Sequence, residues 1–353
     1  MDITQFCFQL WLMPSFVAAL FLTTNRSWAS ISSHPCFLSR TFVSGKTTCT
    51  ALPTSGSGSY SARSKTKTPS IRRTRFSSLA MTEATEVDIT LNLQDVRNRI
   101  QIASDKAGAS TSALTATPVV QLVAVSKTKP IELLMAAYEQ GNQRLFGENY
   151  VQELIDKAQL MPSDVHWHFI GTLQSNKVNG LIKAVVPRVA SLTVETVSTL
   201  KLAMKLNTAM QTLKNDPSFA TAAAAADSGN TQMPAHQLLP IFVQINTSGE
   251  DTKGGIEPDQ AVALCQDIAT SCDQLVVKGL MTIGAEGDLS CFESLYQCRE
   301  RVAEALNVPT TDLALSMGMS GDFEAAILQG ATHVRIGSTI FGARDYSQTA
   351  KMK

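Results

Sequence analysis

The sequence lacks a net charge: 30 basic residues balance 30 acidic ones over 353 positions. Without a basic excess, a polyanion-binding role is disfavoured. It lacks any Cys-x-x-Cys pair, so neither a zinc site nor a thioredoxin-like redox motif is indicated. Gly-x-Gly-x-x-Gly and Walker sequences are missing too, which removes those two modes of phosphate recognition. Between Ile3 and Thr82 there is no acidic residue at all.

That last absence divides the chain. The acid-free stretch carries nine Lys or Arg, leaving 21 basic against 29 acidic residues after Asp2, a net of −8. A basic leader precedes an acidic body, and a nucleic-acid role for the body is disfavoured further. Residues 6–23 form an apolar run about as long as a short membrane span. Ser-Trp-Ala-Ser follows at 27–30, and 22 of the 54 residues from Ser27 to Ala80 are Ser or Thr. That composition cannot bury a core and reads as a targeting segment. An apolar signal followed by a Ser/Thr/Arg-rich stretch resembles the bipartite leaders of proteins sent to complex plastids. The expectation is a disordered leader over 1–82 addressing the body to an organelle, the plastid first and the mitochondrion second. Translation from Met81 would give a cytosolic product instead. No stable membrane insertion of the mature body is expected.

From Glu83 a different pattern begins. Leu93, Val96, Ile100 and Ala103 mark one face of an amphipathic helix. Eight apolar runs follow, each leading into a helical stretch: 119–125, 145–147, 165–170, 186–194, 238–245, 276–283, 313–317 and 334–340. Near-continuous apolar strands belong to parallel sheets buried on both faces. Eight βα repeats in about 270 residues suit a single (β/α)8 TIM barrel, here placed at 83–347 with a tail at 348–353. Pro130 opens the first crossover helix and Gly141 is expected at its C′ position, as Gly330 is for a later one. Residues 214–236, with five consecutive alanines, read as a surface insertion, or else as an Ala-rich helix extension. Cys265, Cys272, Cys291 and Cys298, in pairs seven apart, read as buried or half-buried free thiols.

Reactive groups of such barrels sit at the C-terminal ends of strands. Lys127 directly follows the first strand, where partial desolvation lowers an amine's pKa and suits it to Schiff-base chemistry. Lys129 shares its face, and position alone does not separate the two. The seventh and eighth segments offer small and hydroxyl residues, Ser316, Gly318, Ser320, Gly337, Ser338 and Thr339, where TIM barrels often bind phosphate. A strand-1 lysine facing that cup is the layout of a pyridoxal phosphate (PLP) site. Arg335 lies beside the cup and needs an acceptor; a pyridine nitrogen or a barrel-closing carboxylate would serve. His166 and His168 are too few for a confident metal site.

The segments VAVSKTKP (123–130), FGENYVQE (146–153), WHFIGTLQSNK (167–177), QIN (244–246), GLMTIG (279–284), LSMGMSGDFEAAI (315–327) and RIGSTIFGARDY (335–346) carry a resemblance. Over residues 87–346 the chain resembles the pyridoxal phosphate homeostasis protein family, the YggS or PROSC proteins, themselves similar to the N-terminal barrel of alanine racemase. The resemblance implies a PLP-binding barrel of the alanine racemase N-terminal type. Lys127 matches the Schiff-base lysine; Ser316, Gly337 and Ser338 match positions around the phosphate. Arg335 matches the arginine facing the pyridine nitrogen. Asn149, His168, Asn246 and Met281 would line the pocket. The implied role is intracellular PLP homeostasis, with apo PLP-enzymes as recipients. The chain departs from the family in its leader, in the 214–236 insertion, and in Ser-Leu-Thr-Val-Glu at 191–195, where a shorter Ser-Val-Asp pattern is usual.

Racemisation needs two bases on opposite faces of the substrate. In alanine racemase the second comes from a C-terminal domain for which no residues follow the eighth strand here. A non-enzymatic, monomeric cofactor-binding protein is therefore expected, with a weakly active PLP-dependent racemase or lyase as the runner-up.

Overall fold

A computed structural model of the chain describes residues 77–110, 119–219 and 238–343. The expected leader up to residue 76, the tail, and most of the expected insertion lie outside the described residues. Eight parallel strands close into a barrel in sequence order. They are β1 (Gln121–Val125), β2 (Leu145–Glu148), β3 (His166–Phe169), β4 (Ser191–Val197), β5 (Leu239–Gln244), β6 (Leu275–Met281), β7 (Ala314–Met319) and β8 (His333–Ile336). The helices needed below are α1 (Ser77–Ser110), α2 (Ile131–Glu139), α3 (Val151–Leu160), α4 (Val178–Val185), α5 (Leu200–Lys214), α6 (Ala261–Ser271), α7 (Ser290–Leu306), α8 (Phe323–Leu328) and α9 (Ser338–Phe341).

All eight expected strands are present, but two are displaced. Val186–Arg188 is a 3-10 turn around Pro187, and β4 runs on to Val197, which brings Glu195 inside the barrel wall. Proline lacks the N–H that a central strand must donate. The last strand stops at Ile336, so Ser338 and Thr339 open α9 instead of extending β8.

Strand alternation makes two cores. Leu122, Ala124, Phe146, Trp167, Phe169, Val194, Leu315 and Val334 bury outward against the helices. Rings from three non-adjacent strands, His168, Phe242 and His333, meet one another within 5.4–6.3 Å, so those side chains fill the inside. Helix α1 begins within the segment assigned to the leader, and Ile89, Leu93, Val96, Ile100 and Ala103 are its buried face. It packs on α2 and α8, and Arg99 Nε donates to Glu324 Oε1 at 2.7 Å.

Gly141 is needed for space and not for a left-handed turn. A Cβ there would stand 2.4 Å from Leu93 Cδ1, while the positive φ after α2 belongs to Asn142. Gly330, at φ 91°, does end α8 in the expected way. Closure pairs Val123 with Arg335, which sets the loop after β1 beside the residues following β8.

Candidate functional site

The C-terminal mouth of the barrel opens into a cavity of about 650 Å³. Lys127, Lys129, Lys253 and Arg335 line it, facing Glu286 and Asp322, with Ser320, Gly321, Gly337 and Ser338 on the wall of the last two βα units. Four cations against two acids suit an anionic ligand. A cavity of similar size, about 670 Å³, occupies the opposite mouth, lined by strand starts such as Gln121, Leu145, His166 and His333. Size does not separate the two; chemistry does, because the C-terminal mouth holds the amines together with the small residues of a phosphate cup.

The two candidate lysines have different neighbours. Lys129 Nζ donates to the carbonyls of Phe341, Gly342 and Ala343 at 2.8, 3.0 and 2.6 Å. It therefore staples the end of α9 to the β1 loop. Lys127 lines the cavity from a turn in which Thr128 takes φ 61°.

Gly337 forms the cradle. A Cβ there would stand 3.1 Å from the Val125 carbonyl, so the glycine packs close against the end of β1 while it and Ser338 line the cavity. Ser320 Oγ accepts from the Gly337 N–H at 3.4 Å. Helix geometry leaves the N–H groups of Ser338 and Thr339 without intrahelical acceptors. A phosphate-bearing aldehyde such as PLP fits this donor set: amine, hydroxyls, backbone N–H groups and a guanidinium converge on one space.

Below the cavity, inside the barrel, a buried polar chain supports Arg335. Its Nη1 donates to Ser316 Oγ at 2.8 Å and its Nη2 to the Thr282 carbonyl at 2.7 Å. Ser316 Oγ donates to Glu195 Oε2 at 2.5 Å, and Glu195 Oε1 meets His168 Nδ1. Burial alone would raise the Glu195 carboxyl. The hydrogen bond and charge of His168, with Arg335 and Ser316, outweigh it and hold that carboxyl at about 2. Burial also lowers His333, to about 4, aided by the neighbouring His168.

Of the expected cofactor residues, Lys127, Arg335, Gly337 and Ser338 line the one cavity. Ser316 does not: it is fully buried, and its hydroxyl is committed to Glu195 and Arg335, so it supports the arginine from beneath while Ser320 stands at the wall. His168 also differs from expectation. It sits low in the barrel and lines the opposite mouth. Met281 is sealed at the end of β6. Asn149 and Asn246 follow β2 and β5 without lining the cavity; Asn246 Nδ2 donates to the Glu250 carbonyl at 3.3 Å. Sequence reasoning missed Glu195, Glu153, Lys157 and Lys253. Lys157 carried a signal, since it shares a helical face with the buried Leu154 and Ala158, where an unpaired lysine would be costly.

Residues 93–345 match the family model described as alanine racemase, N-terminal domain. The pyridoxal phosphate homeostasis protein of Mus musculus is 46% identical over 239 residues, 65% of this chain and 78% of that one. The protein of the same name from Vibrio cholerae is 37% identical over 272 residues, 74% of this chain and 99% of that one. Among solved structures, a Bifidobacterium adolescentis protein described only as unknown superposes with a TM-score of 0.57 at 31% identity, covering 73% of this chain and 96% of its own.

Proposed function

This chain belongs to the alanine racemase N-terminal domain family, and from that premise we propose that it is a pyridoxal 5′-phosphate-binding protein of cofactor homeostasis. The observation that carries the reading is the convergence of Lys127, Arg335, Gly337 and Ser338 on one C-terminal cavity, in a chain whose relatives bear that name. When bound, PLP supplies an aldehyde for an amine and a ring that withdraws electrons. Lys127 offers the amine. The Ser320 and Ser338 hydroxyls and the N–H of Ser338 offer donors for the phosphate. Arg335, fixed by Ser316 and Thr282, offers a guanidinium toward the ring; burial lowers its pKa, and the Glu195 charge counters that. A guanidinium donor does not favour a protonated ring nitrogen; storage and hand-over to apo PLP-enzymes rest on the names of the relatives.

The test is direct. Purified protein incubated with PLP should gain visible absorbance, and borohydride should then fix the added mass on Lys127. Retention of that band by Lys127→Ala would overturn the site assignment. Turnover of D- or L-alanine that vanishes in Lys127→Ala would favour the enzyme reading. The acid-free leader supports delivery to an organelle, the plastid first; the N-terminal residue of the protein isolated from cells tests this. The body acts as a monomer in this reading, which sedimentation of the loaded protein checks. Among the described residues, no helix is long and apolar enough to cross a membrane.

A further inference from the structure

A second charged cluster lies directly beneath the turn that carries Lys127. Lys157 Nζ, on α3, donates to the Ser126 carbonyl, to Glu148 Oε1 and to Glu153 Oε1, each at 2.7 Å. Glu153 Oε1 also accepts from the Thr128 N–H at 2.6 Å. Ser126 Oγ donates to Glu148 Oε1 at 2.7 Å. The carbonyl of residue 126 and the N–H of residue 128 belong to the two peptide groups that flank the Cα of Lys127. Both are therefore held from below by one buried ion cluster.

Stability does not account well for this arrangement. Glu148, Glu153 and Lys157 are all buried, a formal excess of one carboxylate. Glu148 Oε2, Glu153 Oε2 and Thr128 Oγ1 are buried without a hydrogen-bond partner. Buried ion clusters with unmet oxygens are weak stabilisers compared with apolar side chains of the same volume. Thr128 is in addition a β-branched residue at φ 61°, a conformation that persists only where its surroundings impose it. Here the turn is held by the Lys129 N–H, which donates to the Ser126 carbonyl at 3.1 Å, and by the Glu153 carboxylate on the Thr128 N–H.

We propose that Glu153 and Lys157 are positioning residues for Lys127: by gripping the peptide groups on both sides of it, they aim its amine into the cavity. The proposal rests on the reading of Lys127 as the lysine that captures the aldehyde. A misplacement of about 1 Å by a distant change can cost as much as a hundredfold in a reaction that depends on alignment. Releasing the Thr128 N–H frees one of the two peptide groups, and a loss of about tenfold in capture rate is expected.

The experiment uses the full chain with Glu153→Ala and Glu153→Gln. Glu153→Ala removes the acceptor yet leaves Lys157 paired with Glu148. Glu153→Gln keeps an oxygen in place. Three quantities are read: the rate of covalent capture of PLP, the pH midpoint of the resulting visible band, and the affinity for 4′-deoxypyridoxine 5′-phosphate, which lacks the aldehyde. A fourth uses the protein without cofactor, as the rate at which Lys127 is acetylated by acetic anhydride. Glu153→Ala should slow capture about tenfold, shift the pH midpoint and change the acetylation rate. Affinity for the deoxy ligand should stay within twofold, and Glu153→Gln should restore most of the capture rate.

Capture and midpoint unchanged in folded Glu153→Ala would overturn the proposal, as would equal losses for PLP and the deoxy ligand. If Glu153→Ala does not fold, Glu153→Met fills the same volume without an acceptor and is read identically. Failure of both to fold overturns the proposal by assigning the residue to stability alone. A Lys127→Ala chain that still captures PLP refutes the underlying site reading instead, a result separate from all of these.

Discussion

Glu148 should make the folded protein less stable as pH rises from 4.5 to about 7, and Glu148→Gln should abolish that loss. The carboxyl is fully buried. Burial raises it from 4.5 to about 7; Lys157 opposes the rise and Glu153 adds to it. Between those two values the folded chain holds a proton that the unfolded chain has released, so the unfolding free energy falls with pH. At about 1.36 kcal/mol per pH unit over some 2.5 units, the loss amounts to about 3 kcal/mol, absent below pH 4.5 and complete above pH 7. His333 runs the other way. Its folded value of about 4 lies below the usual 6.5, so its contribution is lost as pH falls from 6.5 through 4. The two slopes oppose each other in the parent protein between pH 4.5 and 6.5, and subtraction isolates Glu148. The assay is guanidinium unfolding of parent and Glu148→Gln from pH 4.5 to 8. Glutamine keeps an acceptor for Lys157 and Ser126; its amide adds a pH-independent offset. The difference, variant minus parent, should climb by about 3 kcal/mol across the range, with the variant gaining. A difference that stays flat from pH 4.5 to 8 would refute the reasoning, because it would mean the buried carboxylate ionises as freely as in water.

Three further predictions follow from other contacts. Glu195→Gln withdraws the countercharge of buried Arg335 and should cost about 3–5 kcal/mol at pH 7 by the same unfolding assay. Because Glu195 is held at about 2, the parent keeps this contribution above pH 4.5 and loses it as pH falls toward 2, so the gap between variant and parent should narrow in acid. Lys129→Met cuts the staple on carbonyls 341–343 and should weaken affinity for the deoxy phosphate ligand several-fold, while borohydride still fixes PLP on Lys127. Gly141→Ala drives a methyl to within 2.4 Å of Leu93 Cδ1 and 2.7 Å of the Ala137 carbonyl, and should lower stability by about 1–3 kcal/mol, read as a drop in thermal midpoint.

Much of the architecture was legible in the amino-acid order. Parallel strands buried on both faces are apolar along their whole length, and that signal is local, so all eight were found within a few residues. Position at a strand end is local too, which is why Lys127, Arg335, Gly337 and Ser338 could be assigned to one mouth. Partnership is not local. Whether Ser316 faces a phosphate or an arginine depends on Glu195, 121 positions away. Lys127 and Lys129 are two residues apart with the same chemistry, and the second reaches the carbonyls of 341–343, which lie far from it in sequence. Glu195 itself entered the barrel only because Pro187 delayed β4. The sequence by itself therefore determined the barrel and the end of it that carries chemistry, since hydrophobic period and strand position are properties of short segments. Only the closed tertiary structure decided which polar groups meet inside. A buried charge is set by the partner that compensates it, and closing the barrel is what brings β1, β4, β7 and β8 onto one axis.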